Sequence, residues 1–158
     1  MTRDLPDETA TAALGATLAR ALLDSAITRA MVLLYGELGA GKTSLVRGLL
    51  RELGVSGAVP SPTYTLVEPY RVAGLELYHL DLYRLADAGE LDYLGFRELT
   101  DGVTLIEWPE RVPGLDARAD LEVRLALAGD GRIAVLRAAG RRGTDWLARA
   151  AAEFDAAP

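Results

Sequence analysis

The sequence predicts an α/β fold with a mixed central β-sheet flanked by helices, and three observations carry that prediction. A short, nearly continuous apolar run, Ala30-Met31-Val32-Leu33-Leu34-Tyr35, leads through glycines into a helical pattern from Thr43 to Leu53. A run apolar on both faces is what a strand covered on both sides looks like. Two later turn signals, Ala73-Gly74 and Gly129-Asp130-Gly131, each sit between strand-like segments. Hairpins bring antiparallel pairs, so the sheet is mixed and not all-parallel. The 158 residues show no repeat, no linker and no second domain, so one domain over 1–158 is expected. A chain of this length buries roughly 68–70% of its unfolded surface.

Taken in order, Asp7 to Leu23 reads as an amphipathic helix, with Asp7 as N-cap and Leu14, Leu18 and Leu22 on one stripe. The strand over 30–35 and the helix over 43–53 follow. In that helix Leu45, Val46, Leu49, Leu50 and Leu53 recur at helical spacing, and Gly54 suits its C-terminal cap. Thr65 to Val72 and Leu75 to Tyr83 are expected strands of a hairpin. Asp87 to Tyr93 and Phe96 to Leu99 are short helical pieces separated by Gly95, and Val103 to Glu107 is another strand. Leu121 to Leu127 and Arg132 to Leu136 alternate in polarity around their glycine turn, a second hairpin. Gly143 to Phe154 is expected to close the chain as a helix.

The glycines between the first strand and helix are chemically pointed. The chain has 17 Lys plus Arg, and the only lysine is Lys42 in Gly36-Glu37-Leu38-Gly39-Ala40-Gly41-Lys42-Thr43. Arginine serves wherever a positive charge suffices; a compact ammonium on a flexible stem is kept for one place. The octapeptide fits G-x-x-x-x-G-K-[ST], the phosphate-binding P-loop, which implies a P-loop NTPase. Its backbone N–H groups, with that of Ser44, would cradle phosphates at the positive end of the following helix. Lys42 would reach the outer phosphates of ATP, and the Thr43 hydroxyl would ligate Mg2+.

Three further segments carry chemistry. Val103-Thr104-Leu105-Ile106-Glu107-Trp108 is an apolar strand ending in an acid, the usual partner of a P-loop, and Glu107 is the candidate magnesium carboxylate. In His79-Leu80-Asp81-Leu82-Tyr83-Arg84, residues two apart share a strand face, so His79, Asp81 and Tyr83 are expected to project together. Polar side chains on a central strand must be paired or functional. Asp81 is assigned to the magnesium shell or to orienting water; His79 alone reads as a satisfied structural histidine, bonded for example to backbone. In Val59-Pro60-Ser61-Pro62-Thr63-Tyr64 two prolines stiffen an extended loop that fixes the Thr63 hydroxyl. Such a segment either senses a terminal phosphate or is a plain connector.

Composition removes other classes. Zero cysteines exclude disulfides, thiolate catalysis and Cys-ligated zinc, and one histidine excludes a His-pair metal site. A net charge of −6 disfavours non-specific nucleic-acid binding. The N-terminus opens on charged and polar residues without an apolar h-region, and no apolar run is long enough for a membrane span, so a cytoplasmic protein is expected. Guanine reading through N-K-x-D needs a second lysine, and an L-S-G-G-Q transporter signature is missing. The open alternative is a small-molecule kinase, which would need an Arg-rich lid; Arg84 or Arg141-Arg142 could be recruited.

Together Gly36–Thr43, Ser61-Pro62-Thr63-Tyr64, His79-x-Asp81-x-Tyr83-Arg84 and Glu107-Trp108-Pro109-Glu110 resemble, in order and spacing, the TsaE family of bacterial tRNA threonylcarbamoyladenosine biosynthesis ATPases. The resemblance runs from about Thr9 to Ala139 and includes the early Thr9 and Gly15 helix pattern and the closing hairpin. From Arg141 onward no family motif is found. The resemblance implies a small ATPase that binds a complex of TsaD and TsaB. Its ATP cycle would support threonylcarbamoyl transfer to tRNA adenosine, with the tRNA handled by that complex. It also implies that Lys42 and Thr43 bind phosphate and magnesium, and that Asp81 and Glu107 serve the magnesium and water site. Trp108 would flank the nucleotide, and Thr63 would belong to a switch-like loop.

Overall fold

A computed structural model describes residues 1–156. The elements run β1 (Thr2–Leu5), α1 (Glu8–Ser25), β2 (Ala30–Tyr35), α2 (Lys42–Glu52), β3 (Val67–Val72) and β4 (Leu75–Asp81). They continue with α3 (Glu90–Tyr93), α4 (Phe96–Leu99), β5 (Val103–Glu107), β6 (Leu121–Ala128), β7 (Gly131–Ala138) and α5 (Gly140–Ala156). Short 3-10 turns cover Pro109–Arg111 and Asp116–Arg118.

All seven strands form one sheet in the order β1-β7-β6-β2-β5-β4-β3. β2 lies between two parallel neighbours, β5 and β6, and β4 also runs parallel to β5. The β3–β4, β6–β7 and β1–β7 pairs are antiparallel, which gives the mixed sheet. The carboxyl ends of β2, β4, β5 and β6 therefore open on one edge, the place where ligands bind in open α/β sheets.

Alternation along β2 divides the core. Ala30, Val32 and Leu34 pack with Leu14, Leu18, Leu45, Leu49 and Trp146 beneath α1, α2 and α5. Met31 and Leu33 face the other way, against Leu80, Leu82, Phe96, Ile106 and Leu115. α1 and α2 meet through glycine. A Cβ on Gly15 would lie 2.0 Å from the Leu45 carbonyl oxygen, and one on Gly48 2.0 Å from that of Ala12. Asp7 caps α1 as expected, accepting the Ala10 N–H at 2.7 Å.

The structure departs from the sequence reading at several boundaries. β1 was not anticipated: four residues, three of them in contact with solvent, gain strand geometry only by pairing with β7. β4 stops at Asp81 and not at Tyr83, because the Asp81 carboxylate turns the chain by accepting the Tyr83 N–H at 2.9 Å. β3 starts at Val67, after a turn in which Leu66 has φ 64°. α5 begins at Gly140, three residues before Gly143. Among the described residues no helix is long and apolar enough to cross a membrane.

Candidate active site

The loop from Gly36 to Gly41 takes a path that side chains resist. Gly36, Gly39 and Gly41 have φ of 146°, 79° and 104°. Gly36 also presses against β6, where a Cβ would stand 2.5 Å from the Leu125 carbonyl oxygen. α2 starts at Lys42, so its first N–H groups face the cavity with the positive end of the helix. The Lys42 ammonium turns back into the loop and donates to the carbonyls of Gly36 and Glu37, the latter at 3.0 Å. Burial pushes its pKa below the usual lysine range, against the opposing pull of Glu107, Glu110 and Asp81.

Strand register brings the two acids together. Asp81 and Glu107 are paired residues of parallel β4 and β5, each at its strand's carboxyl end and almost wholly buried. Their surroundings differ. Glu107 accepts the Thr43 hydroxyl at 2.8 and 3.1 Å, and His79 Nε2 lies 2.8 Å from its Oε1. Asp81 accepts the Thr63 hydroxyl at 2.8 Å and the Tyr83 N–H at 2.9 Å. Since Thr63 spends its only proton on Asp81, Ser61 must donate to Thr63 across their 2.8 Å contact. The Val59–Tyr64 loop is thereby tied to one of the paired acids.

Trp108 follows Glu107 in the left-handed region, φ 57°, where a bulky residue costs roughly 1–2 kcal/mol. The backbone is held there by a Trp108 N–H bond to the Leu34 carbonyl at 3.3 Å. The strained turn swings the indole over Lys42, with Nζ 4.0 Å from the ring centroid. A strained residue at a cleft is a signature of function.

These groups line a cavity of about 240 Å³. Leu38, Gly39, Gly41, Lys42, Thr43, Ser44, Thr63, Asp81, Glu107 and Trp108 all border it, Leu38 at the rim and 76% exposed; Glu37 contributes its carbonyl to Lys42. Ala40 is buried behind the loop. One expectation needs correction. Tyr83 does not share a strand face with His79 and Asp81; it lies past the strand end, with its ring 4.9 Å from Trp108. His79 is fully buried, and the partner of its Nε2 is the Glu107 side chain and not backbone. The sequence reading also missed Glu8, Thr11 and Arg132, which complete the cavity wall. No local pattern marks them, because they arrive only when α1 and the β6–β7 hairpin pack beside α2.

Among the described residues no three His, Cys, Asp or Glu side chains converge as a metal cage. Magnesium keeps several waters and takes one or two carboxylates plus substrate phosphate, and Asp81 and Glu107 are two carboxylates that border the cavity. Thr43 gives its proton to Glu107, so its lone pairs are left for a cation.

A glycine loop between a central parallel strand and a helix, with an acid ending the adjacent strand, defines a P-loop nucleotide-binding fold. The crystal structure of Bacillus subtilis YdiB superposes with a TM-score of 0.77 at 25% identity, covering 98% of this chain and 95% of that one. A family model described as threonylcarbamoyl adenosine biosynthesis protein TsaE matches residues 5–134. The tRNA threonylcarbamoyladenosine biosynthesis protein TsaE of Haemophilus influenzae is 47% identical over 135 residues, 84% of this chain and 85% of that protein. The TsaE protein of Synechocystis is 47% identical over 120 residues, 72% and 73% of the two chains. The chain belongs to the TsaE family, and its role lies in the formation of threonylcarbamoyladenosine in tRNA.

Proposed function

We propose that the chain is a magnesium-dependent ATPase whose cycle supports turnover of a TsaD–TsaB complex. The observation that carries this reading is the convergence of Lys42, Thr43, Asp81 and Glu107 on one cavity, with Glu107 accepting the Thr43 proton. The Lys42 ammonium, now bonded to two loop carbonyls, would turn toward the terminal phosphates. Thr43 and Glu107, with Asp81 beside them, would hold magnesium; bound there, the ion would neutralise charge developing on the phosphates. Asp81, whose carboxylate oxygens are oriented by Thr63 and the Tyr83 N–H, would orient the attacking water and accept its proton. Trp108 would shield Lys42 from solvent on one side. The Ser61–Thr63–Asp81 chain would let the Val59–Tyr64 loop respond to the nucleotide state and alter the surface shown to a partner.

Nucleic acid is reached indirectly in this reading. With a net charge of −6 the chain is poorly suited to carry the many phosphate contacts of stable tRNA binding. The test is phosphate release with and without purified TsaD and TsaB, for wild type, Asp81→Asn and Glu107→Gln. Slow hydrolysis alone, stimulation by the pair, and loss in both variants are expected. Stimulation by a metabolite that itself becomes phosphorylated, with no response to the pair, would establish a kinase instead.

A further inference from the structure

The cavity has two ends, and only one is used by the chemistry above. Its β4–β5 side carries Asp81 and Glu107. β6 lies on the opposite side of β2, and its carboxyl end leads into the β6–β7 hairpin. Arg132 is the second residue of β7. It lies on the same face as Ala134 and Leu136, which are buried in the core on the side of α1, α2 and α5, and so forms the outer end of that stripe. There it reaches the P-loop from the side away from the acids. Glu8 in the first turn of α1 lies at the same end and accepts the Ser44 hydroxyl at 2.8 Å.

P-loops impose polarity on a nucleotide. Backbone N–H groups cradle the α- and β-phosphates, while the lysine and the metal take the outer ones. The outer phosphates of a bound nucleotide would therefore point toward Lys42, Asp81 and Glu107, and its nucleoside would leave toward Arg132 and α1. The guanidinium is prepared in a particular way. Its Nη1 donates to the Asp130 carbonyl at 2.8 Å and its Nη2 to the Gly39 carbonyl at 3.3 Å. The Nε atom lies 3.9 Å from where a Gly41 Cβ would be. Two of its five N–H donors are thus held by backbone carbonyls, and among the described residues no carboxylate is hydrogen-bonded to it. Held at two nitrogens, the guanidinium plane is fixed at the cavity wall, and a fixed plane suits stacking on an aromatic ring.

We infer that Arg132 is the base platform of the nucleotide site: its guanidinium plane, pinned by Gly39 and Asp130, stacks on the purine of the bound nucleotide. This rests on the ATPase reading above. The platform reads no hydrogen-bond pattern, and stacking on a π-face is tolerant of base identity.

The experiment compares magnesium complexes of ATP and of inorganic tripolyphosphate, which carries the phosphates without the nucleoside. Calorimetric affinities are measured for wild type, Arg132→Ala, Arg132→Lys and Lys42→Ala, with thermal melts to confirm folding. Loss of one base stack weakens binding by about tenfold. Arg132→Ala should therefore lower ATP affinity by about that factor and leave tripolyphosphate unchanged. Arg132→Lys keeps the charge but not the plane, and should fail in the same way. Equal losses for both ligands, rescue by lysine, or unchanged ATP affinity in Arg132→Ala would each overturn the platform. Lys42→Ala is the control on the parent reading, since it should abolish binding of both ligands. Wild-type affinity for both in that variant would sink the P-loop assignment itself.

Discussion

His79 offers the sharpest test of how the acid pair is held. Its ring is fully buried, its Nε2 lies 2.8 Å from the Glu107 carboxylate, and its Nδ1 has no hydrogen-bond partner among the described residues. The ring thus spends its one useful contact on orienting Glu107. Replacing it with Phe keeps a planar ring of similar volume and removes the donor; Glu107 then retains only Thr43. A hydrogen bond to a charged group is worth roughly 1.5–3 kcal/mol. Loss of a partner that orients a metal ligand commonly weakens metal binding by about 10–100-fold, the same range by another route. His79→Phe should therefore raise the magnesium concentration needed for half-maximal phosphate release by at least about tenfold. Nucleotide affinity measured without magnesium should hardly change. His79→Gln places an amide nitrogen near the position of Nε2 and should recover most of the loss. The assay is a magnesium titration at saturating ATP, with melts of all three proteins. Wild-type magnesium dependence in His79→Phe, together with a lowered melting temperature, would make His79 a core filler and refute the reasoning.

Other consequences follow from the same geometry. Gly48→Ala and Gly15→Ala each drive a methyl group to 2.0 Å from a carbonyl oxygen of the facing helix. Overpacking of this kind costs about 1–3 kcal/mol or more, and calorimetry should show melting lowered by at least several degrees; unchanged melting would mean that the helices are free to separate. Trp146 is fully buried, donates to the Leu18 carbonyl at 2.8 Å and does not line the cavity. Emission from Trp146→Phe protein should therefore report Trp108 alone and change on adding ATP; a flat titration would place Trp108 outside the nucleotide site. Lys42 is held below its usual pKa by burial, so the folded state binds fewer protons than the unfolded one. Stability without nucleotide should thus rise as pH climbs from the folded value toward the ordinary lysine range, and Lys42→Met should flatten that rise. Parallel melting profiles between pH 7 and 10 for the two proteins would contradict it.

Much of this site can be read from residue order because its parts are local. Gly36 to Thr43 specify their own backbone, and an apolar strand ending in Glu107 or Asp81 places an acid at a sheet edge in almost any parallel arrangement. The strands and helices around them follow from periodicity and from glycine turns. What escapes is pairwise and distant. β1 depends on a partner more than a hundred residues away, as its register with β7 shows. The bond between His79 and Glu107 depends on β4 lying beside β5, which no spacing along the chain announces. Arg132 is one of 16 arginines until β6 is known to run parallel to β2. Tyr83 was misplaced because a carboxylate two residues earlier bends the chain, and strand alternation contains no term for that.

The glycine crossing of α1 and α2 has a mechanical meaning. Where two backbones touch without an intervening side chain, the helices can neither slide nor splay without opening a void in the core. α1, α2 and the loop between β2 and α2 therefore transmit force as one solid piece. Under the proposed ATPase reading, movement driven by a nucleotide would be taken up by the irregular strip that follows α2. That strip is tethered by Arg47 to the Val59 carbonyl at 2.9 Å and by Thr63 to Asp81 at 2.8 Å. The second of these tethers ends on an acid that lines the cavity, so under the proposed ATPase reading the strip would act as a latch whose catch lies inside the site.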